Sequence, residues 1–128
     1  MRVINLEDDP IKHRKICNEL EKNRIKDENI DWVTNLEDGI AKIQEAIESG
    51  NPYDVAITDM YYPERPGSSE MPSGEIFIAK TEELGIDIPI ILISSQNLRF
   101  PGILGTVYFS ENNDWEDDFR KLVGKINH

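Results

Sequence analysis

Residues 53–63 read Tyr53-Asp54-Val55-Ala56-Ile57-Thr58-Asp59-Met60-Tyr61-Tyr62-Pro63. A β-rich, mostly apolar run from Val55 to Thr58 ends in a lone acid, and two tyrosines and a proline follow that cannot continue a central strand. Asp59 is therefore expected at the carboxyl end of a strand. In an open parallel sheet that is the edge where ligands bind, because the loops leave the strands there and helices cover both faces. The plainer reading is that Asp59 merely begins a turn, which Asp does well.

At 128 residues the chain is expected to be one domain with a real core, needing neither disulfides nor structural metal. The single cysteine, Cys17, excludes an intramolecular disulfide framework and a multi-cysteine zinc site. The N-terminus becomes acidic too early for a signal peptide, and the apolar stretch Ile86–Ile93 is interrupted by Asp87 and Pro89, so a cytoplasmic protein is expected. A net charge of -11 with no Lys/Arg cluster argues against nucleic acid or an anionic membrane as a direct partner. It is compatible with a carboxylate pocket that a divalent cation neutralises.

Outward from the central stretch the pattern repeats. Val3–Leu6 reads as a first strand, followed by Glu7-Asp8-Asp9 and Pro10. Asp9 caps, and Pro10 opens, a helix to about Asn23, with Ile16, Cys17 and Leu20 inward and Lys12, Arg14, Lys15 and Glu19 outward. His13, among charged residues, reads as a solvated surface position, and Cys17 as a core filler. Ile30–Thr34 is a second strand, and Ile40, Ile43, Ala46 and Ile47 mark a second helix that stops at Ser49-Gly50-Asn51-Pro52.

After the central strand, Glu64–Ser73 is a Pro-, Gly- and Ser-rich loop leading to a helix from about Gly74 to Leu84. Ile86–Ile93 reads as a fully buried strand ending at Ser94-Ser95. Gln96–Gly105 has room for at most one helical turn. Thr106–Phe109 is a fifth strand, and Trp115, Phe119, Leu122, Val123 and Ile126 line a last helix. This alternation predicts a three-layer α/β domain, a doubly wound five-stranded parallel sheet with right-handed crossovers. If the order is 2-1-3-4-5, Glu7, Asp8 and Asp59 converge at the switch point between strands one and three. Three carboxylates meeting there repel, so either their pKa values rise or a metal holds them, and Mg2+ suits an all-oxygen site best.

Taken together, Leu6-Glu7-Asp8-Asp9-Pro10 after strand one, Asp59 with Pro63 four residues on, and Pro89–Ser94 in strand four resemble a bacterial two-component response-regulator receiver domain over essentially the whole chain. The resemblance implies a flavodoxin-like domain spanning residues 1–128 that carries no output domain and accepts a phosphoryl group. Asp59 would be the phosphoacceptor, served by a sensor histidine kinase or phosphotransfer protein. Glu7 and Asp8, with Asp59 and the backbone carbonyl of Tyr61, would hold Mg2+, and the Ser94 hydroxyl would bond the phosphoryl group and couple it to a switch.

The sequence departs from that family in three places. The lysine expected after strand five falls within Tyr108-Phe109-Ser110-Glu111, none of which is lysine, and Arg99 is a candidate substitute. The fourth helix is shortened or missing. The Glu64–Ser73 loop is longer than usual, either as a tolerated insertion or as a lid or partner-docking element. Two further readings follow: a pseudo-receiver interaction module that is not phosphorylated, and a phosphatase-like enzyme using Asp59 as nucleophile. The second needs a general acid close behind Asp59, and Met60-Tyr61-Tyr62 offers none.

Overall fold

The computed structural model describes residues 1–126. Four helices and seven strands follow one another along the chain: β1 (Val3–Leu6), α1 (Pro10–Lys22), β2 (Ile30–Val33), α2 (Leu36–Glu48), β3 (Val55–Thr58), β4 (Tyr62–Pro63), β5 (Glu70–Met71), α3 (Ser73–Glu83), β6 (Ile90–Ser94), β7 (Gly105–Tyr108) and α4 (Trp115–Ile126). β4 and β5 form a small antiparallel hairpin of their own. The other five strands make one parallel sheet, β2-β1-β3-β6-β7, which is the order 2-1-3-4-5 among the sheet strands.

Side-chain alternation divides the core between the two faces of the sheet. Val3, Val55, Ile57, Ile91, Ile93 and Val107 meet Ile16 and Leu20 of α1 and Phe119 and Val123 of α4. Ile4, Leu6, Ala56 and Ile90 meet Ile43 of α2 and Phe77 of α3. The same parity carries past the strand ends. Glu7 and Asp59 continue the odd-numbered rows of β1 and β3, and so lean toward the α1 side.

The helix starts have identifiable causes. The Asp9 carboxylate accepts from Ile11 N at 2.9 Å ahead of Pro10, as expected, and Asn35 accepts from Asp38 N at 2.8 Å to open α2. The fourth sheet strand is shorter than its apolar run. It begins at Ile90 because Pro89 has no N–H to give the ladder, although its carbonyl accepts from Ala56 N at 2.9 Å. Between β6 and β7 there is no helix at all, only bends and a turn.

Residues 64–73 are more ordered than a Pro/Gly/Ser composition suggests. Their outer part is a turn held by Ser68 Oγ donating to the Arg65 carbonyl at 2.9 Å, with Gly67 at φ 81°. Glu70–Met71 within the segment pairs with Tyr62–Pro63 just before it as the two arms of the hairpin, and the Glu64 carbonyl accepts from Glu37 N of α2 at 2.9 Å.

Candidate phosphoacceptor site

The carboxyl edge of β1 and β3 brings Glu7, Asp8 and Asp59 together, with one ligand oxygen from each lying within 4.8 Å of the others. Glu7 is fully buried, and the Asp59 side chain is 18% exposed, so the two acids share a crevice but only Asp59 opens to solvent. Asp59 Oδ1 accepts from the Met60 amide at 2.7 Å, and Asp59 N donates to the Leu6 carbonyl at 3.0 Å. Gly74 closes the turn from below. Its N–H donates to the Met60 carbonyl at 2.9 Å, and a Cβ there would fall 2.1 Å from the Asp59 carbonyl oxygen, so only glycine lets α3 start this close.

The cation of the site is one that the sequence reading placed outside. Lys12, in the first turn of α1, is buried at 6% exposure rather than solvated. Its Nζ donates to the Ile93 carbonyl at 2.7 Å and lies 3.1 Å from Glu7 Oε1 and 3.0 Å from Asp59 Oδ1. The ammonium thus makes one hydrogen bond and two ion pairs. Phe109, the residue immediately after β7, presents its ring 5.3 Å from the same nitrogen. The signal was present in the spacing: Lys12, Ile16 and Leu20 fall at i, i+4, i+8, one stripe of the helix. Residue type hid it. Arg99 is exposed and makes none of the ion pairs found among the described residues.

Glu19 was also expected outside and is likewise buried at 4% exposure, paired with Lys22 at 2.8 Å. His13 is no solvated surface residue either. Its ring stacks on Trp32 with centroids 4.2 Å apart and planes 8° from parallel, and its Nδ1 lies 2.7 Å from Asn5 Oδ1, an acceptor that fixes the proton on Nδ1. Asn5 Nδ2 in turn donates to the Ile57 carbonyl at 2.9 Å, and Trp32 Nε1 donates to the Glu7 carbonyl at 2.6 Å. Burial lowers the His13 pKa and pushes the half-buried Cys17 thiol, 3.4 Å from His13 Nε2, up to about 11.

The electrostatics of the acids follow from burial. Loss of water raises the Glu7 carboxyl to about 7; the neighbouring Lys12 pulls it down and Asp59 pushes it up, and desolvation outweighs the ammonium. Asp8 rises to about 6, first through burial and then through Glu70, the hairpin acid that stands beside it. The carboxylates thus carry less negative charge at neutral pH than their number suggests.

Ser94 ends β6, pairs with Tyr108 across the sheet and is almost fully buried; its Oγ accepts from Gln96 N at 3.1 Å. Tyr61 follows Met60 in the turn that leaves β3, and its side chain is 42% exposed. Tyr62, by contrast, is fully buried with its hydroxyl 2.9 Å from Thr58 Oγ1, on the opposite side of the sheet from Lys12.

The fold recurs among known structures. The receiver domain of the Francisella response regulator 1452 is 17% identical and superposes with a TM-score of 0.65 over 98% of this chain and 94% of that one. The chain has the receiver fold. The same fold recurs in the receiver domain of the histidine kinase CKI1 from Arabidopsis thaliana, whose structure contains Mg2+ and BeF3-, at 16% identity, a TM-score of 0.66, and coverage of 98% and 89%. RcsB, a response regulator of Salmonella typhimurium, gives 18% identity and a TM-score of 0.71 over 99% of this chain and 59% of that one. No protein-family model matches the sequence, and no curated protein matches it. The Tyr108–Glu111 segment at the end of the last sheet strand contains no lysine, and the ring of Phe109 within it lies 5.3 Å from Lys12 Nζ.

A divalent ion fits the three acids. Trans oxygens around Mg2+ stand about 4.2 Å apart when each bond is 2.0–2.1 Å, so a 4.8 Å group closes with a small side-chain movement or one bridging water. Glu7, Asp8 and Asp59 are the side chains that would hold it. Lys12 already contacts two of these three, so ion and ammonium would act on the same carboxylates.

Proposed function

We propose that this domain is a response-regulator receiver that accepts a phosphoryl group on Asp59 and signals through protein contacts. The observation that carries the reading is the convergence of Glu7, Asp8 and Asp59 at the carboxyl edge of β1 and β3, with Glu7 buried and Asp59 partly open to solvent. The donor is a phosphohistidine on a sensor histidine kinase or phosphotransfer protein. Glu7, Asp8, Asp59 and the backbone carbonyl of Tyr61 would hold Mg2+, which when bound neutralises charge between an anionic nucleophile and an anionic donor. The chain's own residues do the rest. Met60 N fixes one Asp59 oxygen, the β3–α3 turn closed by Gly74 fixes the backbone, and Ser94 offers its hydroxyl from the neighbouring strand.

On this reading the domain is a phosphoacceptor rather than an enzyme, with at most slow self-dephosphorylation. Its output passes to another protein, not directly to nucleic acid or membrane; among the described residues no helix is long and apolar enough to cross a membrane. The test is intact mass after incubation with acetyl phosphate and saturating Mg2+, beside Asp59→Asn. One added phosphoryl group on the parent alone supports it, and no adduct on a folded, Mg2+-binding parent refutes it.

A second reading is a pseudo-receiver that keeps the fold as an interaction module without phosphorylation. It is favoured by Lys12, an internal cation that already pairs with Glu7 and Asp59, and by the absence of a helix between β6 and β7. A change in partner affinity on phosphorylation rules it out.

A further inference from the structure

We propose that Lys12, delivered from the first helix, is the phosphoryl-pairing cation of this domain, transposed from the end of the last sheet strand, where Phe109 now provides an aromatic face for it. The inference rests on the phosphoacceptor reading and adds a residue to it.

Three independent features support the assignment. The first is position: Lys12 Nζ sits 3.0 Å from Asp59 Oδ1 and 3.1 Å from Glu7 Oε1, on the nucleophile itself rather than on the rim of the crevice. The second is burial. A lysine ammonium at 6% residue exposure has given up its water, a state tolerated only where polar and charged partners replace that water. Here the Ile93 carbonyl, one residue before Ser94, accepts at 2.7 Å, and two acids stand at ion-pair distance. The third is reciprocity: Phe109 stands immediately after β7 with its ring 5.3 Å from Nζ. The strand end Tyr108–Glu111 offers no lysine, and the ammonium that reaches the Asp59 carboxylate comes from α1 instead.

The chemistry is a simple displacement. An Asp59 carboxylate oxygen attacks phosphorus, the bond from phosphorus to the donor's leaving group breaks, and the leaving group departs with the bonding pair, as acetate when acetyl phosphate is the donor. Nothing is oxidised or reduced, and Lys12 keeps its proton throughout. Before transfer it holds the Asp59 carboxylate in place. Afterwards Asp59 is an acyl phosphate whose charge lies on the phosphoryl oxygens, and the ammonium pairs with one of these through a charge-assisted hydrogen bond. Because the same nitrogen bonds the Ile93 carbonyl, any shift of Lys12 toward the phosphoryl group is felt at the end of β6, next to Ser94.

The test compares the parent, Lys12→Met, and Lys12→Met combined with Phe109→Lys. Phosphorylation by acetyl phosphate is followed by intact mass, and Mg2+ binding by tryptophan fluorescence in the absence of donor. Folding of each variant is checked by circular dichroism. The expected result is a loss of tenfold or more in phosphorylation rate in Lys12→Met together with tighter Mg2+ binding, because the competing ammonium has gone. Phe109→Lys, which returns an ammonium from the strand end, recovers part of the rate. A merely structural lysine does not move rate and Mg2+ affinity in opposite directions.

Equal rates in the parent and a folded Lys12→Met overturn the inference while leaving the phosphoacceptor reading intact. No adduct on the parent overturns that reading and this one with it. If Lys12→Met does not fold, Lys12→Gln, which keeps an N–H donor without charge, decides. A parent-like rate there overturns the proposal, and a tenfold loss supports it.

Discussion

The ammonium of Lys12 lies 3.0 Å from the Asp59 carboxylate and 3.1 Å from that of Glu7, so one helix side chain bridges the ends of two neighbouring strands. It does so in a crevice where Glu7 is fully buried. Removing one partner of a buried charge group generally costs more than the group contributes, because the charge left behind is neither solvated nor paired. The crevice is therefore sensitive to charge.

The acids make stability depend on pH in a stated direction. Glu7 goes from 4.5 to about 7 and Asp8 from 3.8 to about 6 on folding, so the folded state binds more protons than the unfolded one between those values. Stability from both groups is fully present below their unfolded pKa values and is lost as pH rises through about 6 to 7. Without divalent ions, the melting temperature should rise by several degrees as pH falls from 7.5 to 5.5. Glu7→Gln should flatten most of that slope, as read by thermal melts at each pH, and an unchanged slope in this variant assigns it elsewhere.

Mg2+ should oppose the same trend. A divalent ion on Glu7, Asp8 and Asp59 favours the deprotonated acids, so millimolar Mg2+ should raise the melting temperature more at pH 7.5 than at pH 5.5. Glu70, beside Asp8 on the hairpin, adds negative charge to this edge. Glu70→Gln should weaken Mg2+ binding by about two- to tenfold, the effect of one nearby charge partly screened by solvent. A calorimetric titration of the two proteins checks it, and equal affinities show that the hairpin acid does not reach the ion.

Gly74 tests the turn beneath Asp59. A methyl group there meets the Asp59 carbonyl at 2.1 Å, too close for any Cβ, and the obstacle is backbone that cannot rotate away. Gly74→Ala should cost about 1–3 kcal/mol in denaturant unfolding and slow phosphorylation more than Gly67→Ala. Gly67 sits at φ 81° in the hairpin turn with open space around it, so its substitution strains the backbone without touching Asp59.

Cys17 should behave as an inert thiol. With its pKa pushed up to about 11 by burial, and His13 Nε2 only 3.4 Å away as an acceptor for S–H, it carries little thiolate at pH 8. Alkylation of the folded protein should run at least tenfold slower than in denaturant. Equal rates would show the thiol to be open and ionised.

Much of the molecule was legible from its residues alone. Alternating apolar runs and helical stripes gave five parallel strands, because strand burial on both faces leaves a continuous apolar signature, and the resemblance to receivers supplied the order that the sheet shows. Asp9 and Pro10 stand at the start of α1 for local reasons that the sequence displays. The convergence of Glu7, Asp8 and Asp59 followed from their places at strand ends, since the register of a parallel sheet carries that information across the gap.

Partnership, not position, was hidden. Lys12 sits on the apolar stripe of α1 with Ile16 and Leu20, but whether a lysine on such a stripe turns out to solvent or in to an acid depends on what the neighbouring strands present there. His13 looked solvated until Trp32 and Asn5, remote in the chain, came to meet it. The 64–73 segment looked like free loop until Glu70–Met71 within it paired with Tyr62–Pro63 as a hairpin. The sequence by itself determined the layers and the acids at the strand ends, because these depend on periodicity and local geometry. Only the tertiary structure decided which cation faces Asp59, because the choice is made by desolvation and by oxygens that three different strand ends bring within reach of one nitrogen.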